Sequence, residues 1–180
     1  MVSARIDEDT FLITPTGVGR RSFELQDIVL IKKNHREKGK NPSRSVLLHS
    51  AIYKQNKDIN CIILSQTPNA TAYAIADQKL DTRTIPESYV VLRDIQLIKY
   101  GKQYQEPEKI AEIISQKNPV LLIQNDCILV SGSSILEAFD RLEVADFTAR
   151  SLIDTQSLGN LVPIGKDEVQ ELNAHFLGES

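Results

Sequence analysis

The side chains able to do chemistry in this 180-residue chain are few and widely spaced. Its three histidines, His35, His49 and His175, fall in a polar loop, a central helix and a terminal helix, which is no spacing for a metal or acid–base group. Cys61 and Cys127 each sit in an apolar, strand-like run. They read as buried free thiols of a reducing cytosol rather than as a disulfide or metal pair. Asp126, at the end of a buried run beside Cys127, reads as a hydrogen-bonded turn residue, with a desolvated carboxylate of raised pKa as the alternative. Gly17-Val-Gly-Arg-Arg-Ser22 lacks the third glycine of a dinucleotide fingerprint. Asn69-Ala-Thr71 is a formal glycosylation sequon, but nothing in Met1–Asp7 has a signal peptide's basic start and apolar core. The sequon therefore reads as the first turn of a helix.

These residues need a scaffold, and hydrophobic periodicity supplies one. Residues 2–6 and 11–16 form a hairpin around Asp7-Glu-Asp9, and 27–33 a third strand. A polar, basic loop follows, holding Lys32, Lys33, Arg36, Lys38, Lys40 and Arg44 against Glu37 alone. Leu47, Leu48, Ala51 and Ile52 then share one face of a helix over 45–56. A strand at 61–66 runs into a helix at 67–79, with Thr67 as N-cap and Pro68 at its first position. After a proline-containing stretch at 83–92 comes a strand at 95–100, and then an amphipathic helix at 106–117. Strands at 120–125 and 127–131 lead to a helix from the Ser133/Ser134 cap to about Leu158, its apolar faces supplied by Leu136, Phe139, Leu142, Val144 and Phe147. A short helix covers 166–177. Hairpins interleaved with helices argue for an α/β or α+β domain in three layers.

Composition narrows the function classes. A hydrophobic share of 41% with 25% charged residues is ordinary for one globular domain with a sizeable core. The net charge of −3 argues against a general nucleic-acid or membrane binder. No run approaches the ~20 apolar residues of a spanning helix.

Four segments carry a resemblance. Phe11-Leu-Ile-Thr-Pro-Thr-Gly17, Pro42-Ser-Arg-Ser-Val-Leu-Leu-His49, Cys61-Ile-Ile-Leu-Ser-Gln-Thr-Pro-Asn-Ala-Thr-Ala72 and Val120-Leu-Leu-Ile-Gln-Asn-Asp-Cys-Ile-Leu-Val-Ser-Gly132 together resemble the class II aldolase/adducin family. The resemblance implies a three-layer α/β/α fold with a central, mostly antiparallel sheet. It also implies one aldolase/adducin-like domain over 1–180, short at its N-terminus relative to the family, or one domain of a longer polypeptide. In metal-dependent members the strand ends in His-Thr-His-Ser-Pro and the strand pair carries Asn-His-Gly; the matching positions here are Leu64, Gln66 and Asp126. The family's proton-transferring Glu corresponds to Ser45. A hydrogen-bonded, partly buried role is expected for the retained His49. The family's phosphate cradle is matched by Thr16, Gly17 and Ser43, with Arg44 in place of a second serine.

The resemblance thus implies no catalytic residue and no metal site, zinc being the family's cofactor. The first reading is a non-catalytic domain for binding or assembly, with the adducin head as precedent, possessing an anion site at Thr16, Gly17, Ser43 and Arg44. A divergent, carbon–carbon lyase-type aldolase or epimerase on a sugar phosphate is the alternative. The partners implied are a phosphorylated small molecule and the chain itself, in a cytoplasmic homo-oligomer built as a tetramer.

Overall fold

The computed structural model describes residues 1–19 and 22–178; Arg20 and Arg21 of the Gly17–Ser22 turn lie outside them. Chain order is β1 (Val2–Asp7), β2 (Thr10–Ile13), β3 (Val29–Lys32), β4 (His35–Arg36), α1 (Val46–Gln55), β5 (Cys61–Ser65), α2 (Pro68–Ala76), α3 (Pro86–Leu92), β6 (Gln96–Ile98), α4 (Lys102–Gln105), α5 (Pro107–Ile113), β7 (Val120–Ile123), β8 (Cys127–Gly132), α6 (Ile135–Thr155) and α7 (Lys166–Phe176). The strands form one sheet in the order β4-β3-β2-β1-β5-β8-β7-β6. Every pairing is antiparallel except β6 with β7.

Strand pleating divides the apolar side chains between two cores. Ile62 and Leu64 of β5, with Leu121 and Ile123 of β7, face α1 and α5. Cys61, Ile63, Val120 and Leu122 face the opposite way, against α2, α3 and α6. The three-layer α/β/α arrangement with a mostly antiparallel sheet is therefore present, and β5, β7 and β8 are buried on both faces, which is why they read as continuous apolar runs.

The helices depart from sequence expectation in instructive ways. On α1, Leu47 is 68% exposed while Leu48 and Ile52 are buried. On α6, Leu136 (71%), Phe139 (47%) and Phe147 (61%) face out, and Ala138, Leu142, Ala145, Ala149 and Leu152 form the buried stripe. Small alanines let α6 lie close to the sheet and α2, so its largest side chains are on the wrong side to be core. Ser134 does cap α6: its hydroxyl accepts from the Glu137 N–H at 3.1 Å, and Glu137 accepts from the Ser133 N–H at 2.6 Å. Thr67 does not cap α2 through its side chain. Asp146 of α6 reaches across instead, accepting from the backbone N–H groups of Asn69 and Ala70, each at 3.0 Å. The stretch 83–92 contains the unforeseen α3. The helix expected over 106–117 stops at Ile113, because Ser115 and Asn118 exchange backbone hydrogen bonds in a tight turn.

Candidate functional site

Three chain turns converge at one end of the sheet. Pro15 and Pro42 form an isolated bridge, flanked by hydrogen bonds from Thr16 N–H to Asn41 C=O (3.0 Å) and from Ser43 N–H to Thr14 C=O (3.1 Å). The turn after β2 and the lead-in to α1 are thereby stitched together. The end of β5 and the β7–β8 turn lie beside them, and α4 closes the side. The cavity between them has a volume of about 400 Å³. Thr16, Gly17, Ser43 and Arg44 line it, as do Leu64, Gln66 and Asp126. Residues singled out from distant parts of the sequence are thus brought to one place.

Their individual environments differ. The Thr16 and Ser43 amides are used in the stitch between the loops and the Ser43 hydroxyl donates to Met1 Sδ at 2.6 Å, so what that side offers a ligand is the Thr16 hydroxyl, the amide of Gly17 and the Arg44 guanidinium. Gly17 has φ +79° with open space where a Cβ would be, a left-handed turn that suits glycine. Arg44 is exposed and makes no hydrogen bond or ion pair with the described residues. Ser43 is buried, with its hydroxyl 3.1 Å from that of Ser45. Ser45 lies behind it, 1% exposed, and does not line the cavity.

Asp126, Cys127 and Tyr104 also line the cavity. Gln103, buried beneath, donates from Nε2 to Asp126 Oδ2 at 2.7 Å. Asp126 is accordingly the hydrogen-bonded turn residue expected, and its carboxylate is held in place. Burial pushes the Cys127 thiol up to about 12, with the Asp126 charge adding to it. The Tyr104 phenol is raised by burial and then by Asp126, against Arg44 and Gln103. Both therefore stay protonated at neutral pH. Sequence reasoning missed Gln103 and Tyr104, which sit in a four-residue helix with no periodicity to mark it.

His49 is not part of the cavity lining. It is wholly buried, beyond the partial burial expected, with Nδ1 2.6 Å from the Ser3 hydroxyl, which in turn lies 2.7 Å from the Tyr53 hydroxyl. His35 and His175 are exposed and bond to nearby backbone carbonyls. Cys61 and Cys127 are both buried free thiols. Among the described residues no group of three or more His, Cys, Asp or Glu side chains is placed to hold a metal ion. No helix among them is long and apolar enough to cross a membrane.

With this geometry in hand, comparison with known proteins places the chain in a family. Residues 1–153 match the model of the class II aldolase and adducin N-terminal domain, and the chain belongs to that family. A 3-oxo-tetronate 4-phosphate decarboxylase of Haemophilus influenzae is 31% identical over 165 residues, which cover 86% of this chain and 77% of that protein. An L-fuculose phosphate aldolase of Methanococcus maripaludis is 28% identical over 147 residues, 80% of this chain and 79% of its own. Among solved structures, an L-fuculose 1-phosphate aldolase superposes with a TM-score of 0.82 at 22% identity, covering 98% of this chain and 85% of its own.

Proposed function

We propose that the cavity binds a small phosphorylated compound, with its phosphate on the side formed by Thr16, Gly17, Ser43 and Arg44, and does so without a zinc centre. The observation that carries this reading is that the cavity is lined by the guanidinium of Arg44, which has no hydrogen bond or ion pair among the described residues, and by the positive-φ turn at Gly17. A guanidinium, a hydroxyl and a backbone amide give a phosphate short, charge-assisted hydrogen bonds. Relatives whose names specify phosphorylated substrates lend the same ligand class support.

Zinc does not fit the residues present. Leu64 has no donor atom, Gln66 offers a neutral amide, and Asp126 is one carboxylate whose Oδ2 is already engaged. Zinc sites are built from imidazole, thiolate and carboxylate donors in sets of three or four, and the one thiol lining the cavity, Cys127, is held protonated. The loss of the three-imidazole site, and with it of Lewis-acid carbonyl chemistry of the family's type, follows as part of the proposal.

The second reading is a divergent lyase acting on a ligand of the same class. Two observations favour it. Relatives named as a decarboxylase and as aldolases match most of this chain, and the cavity keeps a fixed carboxylate beside a protonated phenol, groups able to move a proton. On turnover the relatives give this reading the greater support; on metal, the donor set supports the first.

Amide chemical shifts recorded while inorganic phosphate is added in the presence of chelator test the binding reading. Shifts at residues 14–19 and 42–46, lost in Arg44→Ala, are expected. If those segments do not move in millimolar phosphate, the cradle is only a pair of turns. Release of a carbonyl product from a sugar phosphate by metal-free protein would establish the second reading.

A further inference from the structure

Gln103 is the most unusual side chain near the cavity. It is 1% exposed, its Nε2 is committed to Asp126 at 2.7 Å, and its Oε1 is buried with no hydrogen-bond partner. A half-satisfied buried amide destabilises a protein, because the orphaned oxygen has lost its water and gained nothing. The orientation of the amide is not arbitrary, since turning it over would set Oε1 against the Asp126 carboxylate. It is held the costly way round by Asp126 itself. A leucine or methionine at this position would fill the space without an orphan, so packing alone does not account for a glutamine.

We infer that Gln103 is a positioning residue that fixes Asp126 as a hydrogen-bond acceptor for a hydroxyl group of the bound phosphorylated ligand, which makes Asp126 the specificity-determining residue of the cavity. This rests on the phosphate reading above and assigns the other end of the ligand. Gln103 engages Oδ2, and the Asp126 carboxylate, which lines the cavity, has more acceptor sites than Gln103 alone can fill. The other polar groups lining the cavity near it are the Tyr104 phenol and the Cys127 thiol, both protonated, and the terminal ammonium of Met1, which donates to the Leu64 carbonyl at 2.6 Å. An anionic group of the ligand beside Asp126 is repelled by its carboxylate. Arg44 and Asp126, which both line the cavity, therefore give it charged groups of opposite sign. Phosphate goes to the guanidinium side, and a donor goes to the carboxylate side. A carboxylate held in one rotamer loses less entropy on binding than a free one and rejects an analogue lacking the donor more strongly.

The test measures affinities of the full chain, in chelator, for inorganic phosphate, propyl phosphate, glycerol 3-phosphate and phosphoethanolamine. Glycerol 3-phosphate is expected to bind about tenfold tighter than propyl phosphate, the margin of one charge-assisted hydrogen bond. Gln103→Met, of nearly the same volume, is expected to bring that ratio most of the way to one, and Asp126→Ala to abolish it. Asp126→Ala reads the same ratio at a partly exposed turn, so the conclusion does not depend on how Gln103→Met folds. A role confined to packing would change the melting temperature and leave the ratio alone. A wild-type ratio near one, or a ratio unchanged in both variants, overturns the inference while inorganic phosphate binding keeps the phosphate reading. Tighter binding of phosphoethanolamine than of glycerol 3-phosphate overturns the hydroxyl assignment. If no phosphate compound binds, the phosphate reading falls first and this inference falls with it.

Discussion

His49 is wholly buried, and desolvation, with the positive N-terminus adding to it, lowers its pKa from an ordinary value to about 3. In the unfolded chain a histidine takes up a proton near pH 6.5. Between about pH 6.5 and 3 the unfolded state therefore binds the extra proton, and stability falls as pH falls through that window. From pH 7 to pH 5 the loss is about 2 kcal/mol by this group alone. Urea unfolding at the two pH values should show it, and His49→Gln should remove that part of the pH dependence; an unchanged slope would contradict the account. The Cys127 thiol, pushed up to about 12 by burial, should resist iodoacetamide at pH 8 until the protein unfolds; labelling of the native protein at the rate of a free thiol would count against it. At this scale the sequence was partly legible. His49, Cys61, Cys127 and Asp126 could be read from their apolar neighbours. Gln103 could not, because its importance comes from a partner 23 positions away and from an orphaned oxygen that only the fold creates.

The long apolar runs of β5, β7 and β8 and the Ser133/Ser134 cap of α6 were visible as local signals, since they depend on residues a few positions apart. The cap of α2 was not, because Asp146 lies 77 positions from Asn69. Burial alone would raise the Asp146 pKa, but the hydrogen bonds from Ala70 and Asn69 outweigh it and leave the carboxyl below its ordinary value. Asp146→Ala should cost about 1–2 kcal/mol, the range for a lost N-cap, with hydrogen exchange fastest in the first turn of α2. A denaturant midpoint equal to the parent's would mean that the cap is dispensable. The two-residue β4 and the seven-residue α3 were missed for a simpler reason: neither is long enough to show a period. The apolar residues of α6 misled in a different way, as its alanines and not its phenylalanines face the sheet.

For the whole molecule, those outward phenylalanines bear on assembly. Leu136, Phe139 and Phe147 of α6 leave apolar surface in water, and a homo-oligomer, the arrangement implied by the family resemblance, is the proposal that would cover it. Light scattering at high concentration should give a multiple of 20.2 kDa, and Phe147→Glu should lower it; a monomer throughout would contradict this. Hairpins interleaved with helices made a three-layer domain legible and the resemblance of four short segments to the family supplied its mostly antiparallel sheet, whereas its use depends on the residues that line a cavity of about 400 Å³. The central claim is that this cavity recognises a phosphorylated small molecule and needs no zinc. Calorimetric titration of chelator-treated protein with glycerol 3-phosphate tests it most directly. The account predicts one-to-one binding with the same affinity whether or not one equivalent of zinc is then supplied; binding that appears only once zinc is added would contradict it.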